Sequence, residues 1–257
     1  MNQEERRKYL IEDLLLEQNQ KINIPEDSLS QRMLLRGLMN IRMPQKTSDI
    51  FLNTQNAYLK QCLDEKGIVD INSLEPIKED IYLWQGDITT LKCDAIVNAA
   101  NSEMLGCFIP NHKCIDNAIH TYAGIKLREE CYNLMKSLGR EAKTGEAFLT
   151  NAYNLPSKYV IHTVGPIVYS SLTEEDKNAL EKCYISCLKL AESKKITSLA
   201  FCCISTGEFH FPNEEAAKIA IKTALNYKEK TGSKLKVIFN VFKEIDYDIY
   251  KRLLNRN

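Results

Sequence analysis

The sequence predicts a three-layer α/β/α fold with a mixed, mostly parallel central sheet and an N-terminal helical extension. Three observations predict it. From about residue 78, short apolar runs alternate with amphipathic helical segments, the pattern of helices laid on both faces of such a sheet. Before that point the periodicity is helical only. The most unusual short segments follow directly after apolar runs, where open α/β sheets carry their ligand-binding loops.

The elements follow in order. Leu10, Ile11, Leu14 and Leu15 recur at helical spacing between Glu4 and Gln18. Ser28 and Gln31 form a candidate capping box ahead of Leu29, Met33, Leu34 and Leu38. A third helix is expected from near Ser48 through Phe51, Leu52, Tyr58 and Leu59 to Cys62, with Gly67 as its stop. No catalytic motif lies in this stretch, so residues 1–77 are expected to cap the domain formed by 78–257. Because every pocket motif lies after residue 80, the extension is not expected to build the pocket. Expected strands are Ile81–Gln85, Ala95–Asn98, Glu146–Thr150, Tyr159–Thr163, Leu199–Ile204 and Leu235–Val241. Expected helices are Asp116–Met135, Glu174–Ser193, Asn213–Lys230 and Tyr247–Leu254.

Composition narrows the function. Lysine and arginine number 34, as do aspartate and glutamate, so the basic excess of a general nucleic-acid binder is missing. No apolar run reaches the roughly 20 residues that span a bilayer, and the opening MNQEERRKYL lacks a signal-peptide core. A cytoplasmic location is the expectation. Nine cysteines without an export signal are expected to be reduced thiols, some available for metal binding.

Three loops stand out: Gln85-Gly86-Asp87-Ile88-Thr89, Asn98-Ala99-Ala100-Asn101-Ser102, and Ile204-Ser205-Thr206-Gly207-Glu208-Phe209-His210-Phe211-Pro212. The last is a strand–loop–helix turn whose backbone N–H groups suit a diphosphate. A fourth segment, Gly106 to Asp116, contains Cys107, His112 and Cys114. Thiolate and imidazole are preferred zinc ligands, a short loop can wrap one ion at this spacing, and three protein ligands leave a fourth position open.

The motifs GDIT, NAAN, YVIHTVGP and ISTGEFHFP, in that order, resemble the macrodomain family over roughly residues 78–257. The resemblance implies an ADP-ribose site. It makes Asp87 the acceptor of the adenine amino group, aided by the Ile88 backbone. It places Asn101 on the distal ribose and makes Ser205, Thr206, Gly207, Glu208 and Phe209 the phosphate loop. The Phe209 ring would border the distal ribose and Phe242 would pack on adenine. Most macrodomains have a glycine-rich loop where this chain has Cys107, His112 and Cys114, a departure that resembles a zinc-containing microbial branch. That branch implies one Zn2+ per chain. Asp116 aligns with the acidic residue of the Val-Asp-Gly segment in hydrolytic macrodomains, a likeness that places it, with Asn101, in the catalytic role. It also suggests, as partner, an ADP-ribosylated protein, such as a lipoyl-carrier-like protein modified by a sirtuin-type transferase.

Competing readings stand beside these. Phe242 has a reading as core and Asp87 as a turn cap. His162, in mid-strand, reads as structural, as does His120, one turn from Asp116. Cys131 is an alternative fourth ligand, while Cys62, Cys93, Cys183, Cys187, Cys202 and Cys203 read as packing residues. The expected function is zinc-dependent hydrolysis of mono-ADP-ribose from protein side chains, a glycosidase-type reaction. Alternatives are deacetylation of O-acetyl-ADP-ribose and non-catalytic ADP-ribose reading.

Overall fold

The computed structural model describes residues 1–256 of the chain. Three helices come first: α1 (Gln3–Glu17), α2 (Ser28–Ile41) and α3 (Asp49–Lys66). Asn2 caps α1 in a reciprocal box with Glu5. The cap of α2 is Asp27, which accepts from the Ser30 N–H, and not Ser28. Gln31 is drawn inward instead, accepting from buried Arg7 and donating to the Pro25 carbonyl. Ser48 caps α3 and Gly67 ends it, as expected. Leu10, Ile11 and Leu14 of α1 are wholly buried against Leu35, Leu38, Phe51 and Leu59. Each such side chain contributes about 1.5–3 kcal/mol relative to exposure, so a Leu14→Ala change would cost about 2–5 kcal/mol. Ile125 of the main body joins this cluster, so the extension is docked rather than tethered.

After α3 come β1 (Val69–Asp70), β2 (Ile81–Gln85), β3 (Leu91–Lys92), β4 (Ala95–Ala100), α4 (Ile115–Ala123), α5 (Ile125–Leu138), β5 (Ala147–Asn151), β6 (Tyr159–Val164), α6 (Glu174–Ser193), β7 (Ser198–Phe201), α7 (Asn213–Thr231), β8 (Lys236–Val241) and α8 (Glu244–Arg256). Strands β1 and β3 form a small parallel pair, and Ile71, Leu74 and Ile77 pack with the main core. The large sheet runs β2-β8-β7-β4-β6-β5. Every pairing in it is parallel except β5 with β6. From β4 the chain crosses in one direction, through α4 and α5, towards β5 and β6. From β6 and β7 it crosses in the opposite direction, through α6 and α7. Right-handed crossovers in opposite directions place these helix pairs on opposite faces of the sheet, which gives the three layers.

Two departures from the sequence reading bear on the site. The helix expected over Asp116–Met135 is two helices, broken at Gly124 with φ of 90°. The buried start of α5 is satisfied by Gln55 of α3, whose Oε1 accepts from the Ile125 N–H at 3.0 Å. Strand β7 ends at Phe201, short of the expected Ile204, because the chain turns through Ser205 in the left-handed region, φ 65°. Strands β4 and β7 therefore pair only at Ala95–Leu199 and Ile96–Ala200, whereas β4 follows β6 for its full length. The crossover direction reverses between β4 and β7, and the sheet opens there at the carboxyl ends of its strands, the usual ligand crevice of such folds.

Candidate active site

All the loops singled out from the sequence gather at this edge. Asp87 follows β2, Asn101 follows β4, Ser205 to Phe209 follow β7 and Phe242 follows β8. Phe242 is 74% exposed, which excludes its reading as core and leaves a large aromatic surface beside the strand ends. Ile88 is buried.

Asp87 caps a short 3-10 turn over Ile88–Thr90. Its Oδ1 accepts from the Thr89 N–H at 3.0 Å and the Thr89 hydroxyl at 2.6 Å. Lys66 Nζ, from the end of α3, lies 2.9 Å from Oδ2. Burial favours the protonated acid, but Thr89 and Lys66 together outweigh it and hold the carboxyl below its usual range. Asp87 is thus an ionised, acceptor-only group with capacity left at Oδ2.

The loop after β7 is built around backbone strain. Ser205 takes a left-handed conformation that disfavours a side chain, and its buried Oγ has no hydrogen-bond partner among the described residues. Gly165, in the YVIHTVGP segment, makes room: a Cβ there would stand 2.0 Å from Ser205 Oγ. Phe211 N–H donates to Ser205 O and His210 N–H to Gly207 O, while Phe209 O accepts from Val168 N–H. Thr206 Oγ1 donates to the Cys203 carbonyl. Among the described residues, none accepts from the N–H of Gly207, Glu208 or Phe209. Successive unused N–H groups of this kind form an anion cradle.

The loop after β4 begins with Asn101, whose Oδ1 accepts from Met104 N–H and whose Nδ2 donates to Gly106 O. It then brings Cys107, His112 and Cys114 together, with their ligand atoms all within 4.8 Å of one another. His112 Nδ1 is buried without a hydrogen-bond partner, and its Nε2 lies 3.7 Å from Glu208 Oε1, so the loop after β4 and the loop after β7 meet. Burial, helped by the neighbouring Cys107, pushes the Cys114 thiol up to about 12, so a bound cation is what would favour its thiolate form. The donor set, its spacing and the orphaned imidazole nitrogen fit zinc. Cys131 takes no part: it lies with His120 and His162 in a separate, fully buried group.

Cys114 also caps α4, its Sγ accepting from the Asn117 N–H at 3.4 Å. Asp116 lies in the first turn of that helix, only 5% exposed. Asn98 Nδ2 donates to Asp116 Oδ1 at 2.8 Å. Burial pushes the Asp116 carboxyl up to about 6, against the pull of Asn98 and of the Arg128 guanidinium. His162 has a contact on each ring nitrogen, Asn98 Nδ2 at 3.1 Å and Thr150 Oγ1 at 2.9 Å, and is the structural histidine its mid-strand position suggested. His120, 3.6 Å from Asp116, has no hydrogen-bond partner on either ring nitrogen.

Sequence reasoning missed the part played by the extension. Lys66 touches Asp87, Arg36 and Asn40 touch the loop that holds Cys107, His112 and Cys114, and Arg128 of α5 donates both to the Met39 and Arg42 carbonyls of the extension and to the Leu105 carbonyl beside that loop. No spacing signal marks these residues, because each acts across a tertiary contact. Asn98, inside NAAN, and Asn117, next to Asp116, were visible but had no role until their partners were placed.

The Macro domain family profile matches residues 97–220. The chain is 50% identical to a protein of Treponema medium named protein-ADP-ribose hydrolase, over 99% of this chain and 100% of that one. It is 47% identical to a Staphylococcus aureus protein of the same name, over 98% of this chain and 96% of that one. Among solved structures, the Trypanosoma brucei macrodomain in complex with ADP-ribose is 30% identical, with a TM-score of 0.67 over 90% of this chain and 97% of that one. A sheet that opens between β4 and β7, with the acidic, cradle and aromatic groups in the family's order along its rim, agrees with these matches, and the chain belongs to the macrodomain family.

Proposed function

We propose that this chain hydrolyses the bond between the anomeric carbon of a distal ribose and a protein side chain, releasing ADP-ribose. The observation that carries the reading is the convergence, at one crevice, of the Ser205–Phe209 cradle with the Cys107, His112 and Cys114 loop, joined at the 3.7 Å Glu208–His112 contact. The names of the Treponema and Staphylococcus relatives support it.

The residues divide the substrate between them. Asp87 and the Ile88 backbone face the adenine amino group, and Phe242 offers its exposed ring to the base. The unused N–H groups of Gly207, Glu208 and Phe209 meet the diphosphate, with Ser205 and Thr206 shaping the turn. Phe209 borders the distal ribose and Asn101 binds it. Cys107, His112 and Cys114 would hold zinc, which supplies a Lewis acid able to bind a ribose hydroxyl or to acidify a water. Asp116 accepts a hydrogen bond from the ribose or from the attacking water, whose oxygen bonds to the anomeric carbon as the side-chain oxygen or nitrogen leaves with a proton. Positive charge develops on the sugar in that step, so a buried carboxyl held by Asn98 is suited to the reacting end of the crevice. The substrate is protein-linked mono-ADP-ribose. A lipoyl-carrier-like protein modified by a sirtuin-type transferase is the target class proposed, and the reaction is of glycosidase type in the cytoplasm.

The test is release of free ADP-ribose from Glu/Asp-, Ser- and Arg-linked protein substrates, with metal content measured on the same sample. Release that falls on chelation and returns with zinc is expected. Tight ADP-ribose binding without release from any substrate would leave a reader, and release only from O-acetyl-ADP-ribose would leave a deacetylase.

A further inference from the structure

We propose that α2 of the extension is part of the chelating apparatus: Arg36 positions the metal loop, so zinc affinity is set partly from outside the macrodomain. This rests on the reading of Cys107, His112 and Cys114 as zinc ligands.

The network is specific. Arg36 Nη2 donates to the His112 carbonyl at 2.9 Å and to Asn117 Oδ1 at 2.7 Å, and Nε reaches the same Oδ1 at 3.3 Å. Asn117 is wholly buried and distributes this hold. Its Nδ2 donates to the Ile109 carbonyl at 3.1 Å and the Cys107 carbonyl at 3.4 Å, and its N–H meets Cys114 Sγ. One guanidinium therefore grips the backbone of one ligand residue directly and, through Asn117, reaches the other two. Asn40, one helical turn further along α2, adds a second hold: its Oδ1 accepts from the Asn111 N–H at 3.0 Å, and its Nδ2 donates to Thr121 Oγ1. Gly37, between them, faces the same loop: a Cβ there would make ordinary van der Waals contact with Asn111 Nδ2 at 3.4 Å and Pro110 Cβ at 3.6 Å.

A loop that must be ordered when the ion arrives loses affinity by the free energy of ordering, and a loop fixed beforehand does not. Arg36 fixes it with a planar fork that lysine cannot reproduce.

The test uses the full chain, stripped of metal and titrated with zinc against a chromophoric chelator, comparing wild type, Arg36→Gln and Arg36→Lys. Loss of an outer partner of a metal site typically lowers affinity by about 10–100-fold; Arg36→Gln should fall in that range and Arg36→Lys should lose less. Circular dichroism and thermal unfolding of the metal-free proteins separate this from a structural brace. Zinc affinity unchanged in Arg36→Gln, with only the unfolding midpoint lowered, overturns the proposal. If Arg36→Gln fails to fold, unchanged affinity in Arg36→Lys overturns it equally. A wild-type chain that binds no zinc removes the metal reading itself, an outcome distinct from either.

Discussion

Lys66 Nζ stands 2.9 Å from Asp87 Oδ2 and 3.4 Å from the centre of the Tyr122 ring, which ties the last turn of the extension to the turn after β2. With Oδ1 occupied by Thr89, both oxygens of the carboxylate are held in place. Asp87→Ala should lower ADP-ribose affinity by about 1.5–3 kcal/mol, the usual loss for a hydrogen bond to a charged group. Lys66→Met should lower it less, and the double variant should be no worse than Asp87→Ala alone. The pair is one-third exposed, so its own contribution to stability is at most about 1 kcal/mol. Calorimetry decides; an Asp87→Ala protein with wild-type affinity would leave Asp87 as a turn residue only.

Metal analysis of the purified chain should find about one zinc per molecule. Cys107→Ser with Cys114→Ser should remove it and the hydrolytic activity while the sheet stays folded, since none of the three ligands belongs to the core clusters. Full zinc occupancy in that double variant would exclude these cysteines as ligands.

Asp116 and Cys114 sit two positions apart at the start of one helix, Cys114 capping it and Asp116 in its first turn. Groups that serve one step give non-additive losses. Asp116→Ala should lower single-turnover release of ADP-ribose more than it weakens binding of free ADP-ribose, and adding Cys114→Ser should slow release little further. Fully multiplicative losses would assign the two residues to separate steps, and wild-type turnover in Asp116→Ala would remove Asp116 from the mechanism.

Acid should destabilise the fold through its buried histidines. Burial pushes His162 down to about 3, and burial, then Arg128 and His162, hold His120 well below its usual value. Both are depressed bases. In the unfolded chain they take up protons below about pH 6.5; in the folded chain they stay neutral, so the unfolded state binds more protons and stability falls with pH. The His162 contribution is complete above pH 6.5 and declines towards pH 3, at about 1.4 kcal/mol per pH unit. His162→Gln should be less stable at pH 7 yet lose stability less steeply between pH 6.5 and 5. Denaturant unfolding of both proteins across that window checks this, and the comparison subtracts the titrating groups remote from His162. Parallel slopes would show that His162 is protonated in the folded protein.

The order and type of nearly every element in the main body were legible because burial imposes two readable periods, 2 for strands and 3.6 for helices. Helix α6 was expected at the bounds it has, Glu174–Ser193. The misreadings have local causes. Strand β7 was read too long because Cys202, Cys203 and Ile204 are apolar, yet the turn at Ser205 removes them from the ladder. The break at Gly124 was missed because the apolar stripe continues through it, while α5 starts anew with its Ile125 N–H donating to Gln55, remote in sequence. Asp27 displaced Ser28 as the cap of α2 because Gln31 found tertiary partners in buried Arg7 and the Pro25 carbonyl.

By itself the sequence singled out the candidate residues for chemistry. Asp87, Asn101, the Ser205–Phe209 loop and the Cys107, His112 and Cys114 cluster are short, contiguous signals, and their residue types limit what they can bind. Only the tertiary structure decided how those signals are held. The opening of the sheet between β4 and β7, the meeting of Glu208 with His112, and the reach of Lys66 and Arg36 from the extension into the crevice join residues far apart in the chain. A hydrogen bond or ion pair depends on distances of a few ångströms, and neither composition nor periodicity encodes such distances between segments that meet only when the core closes.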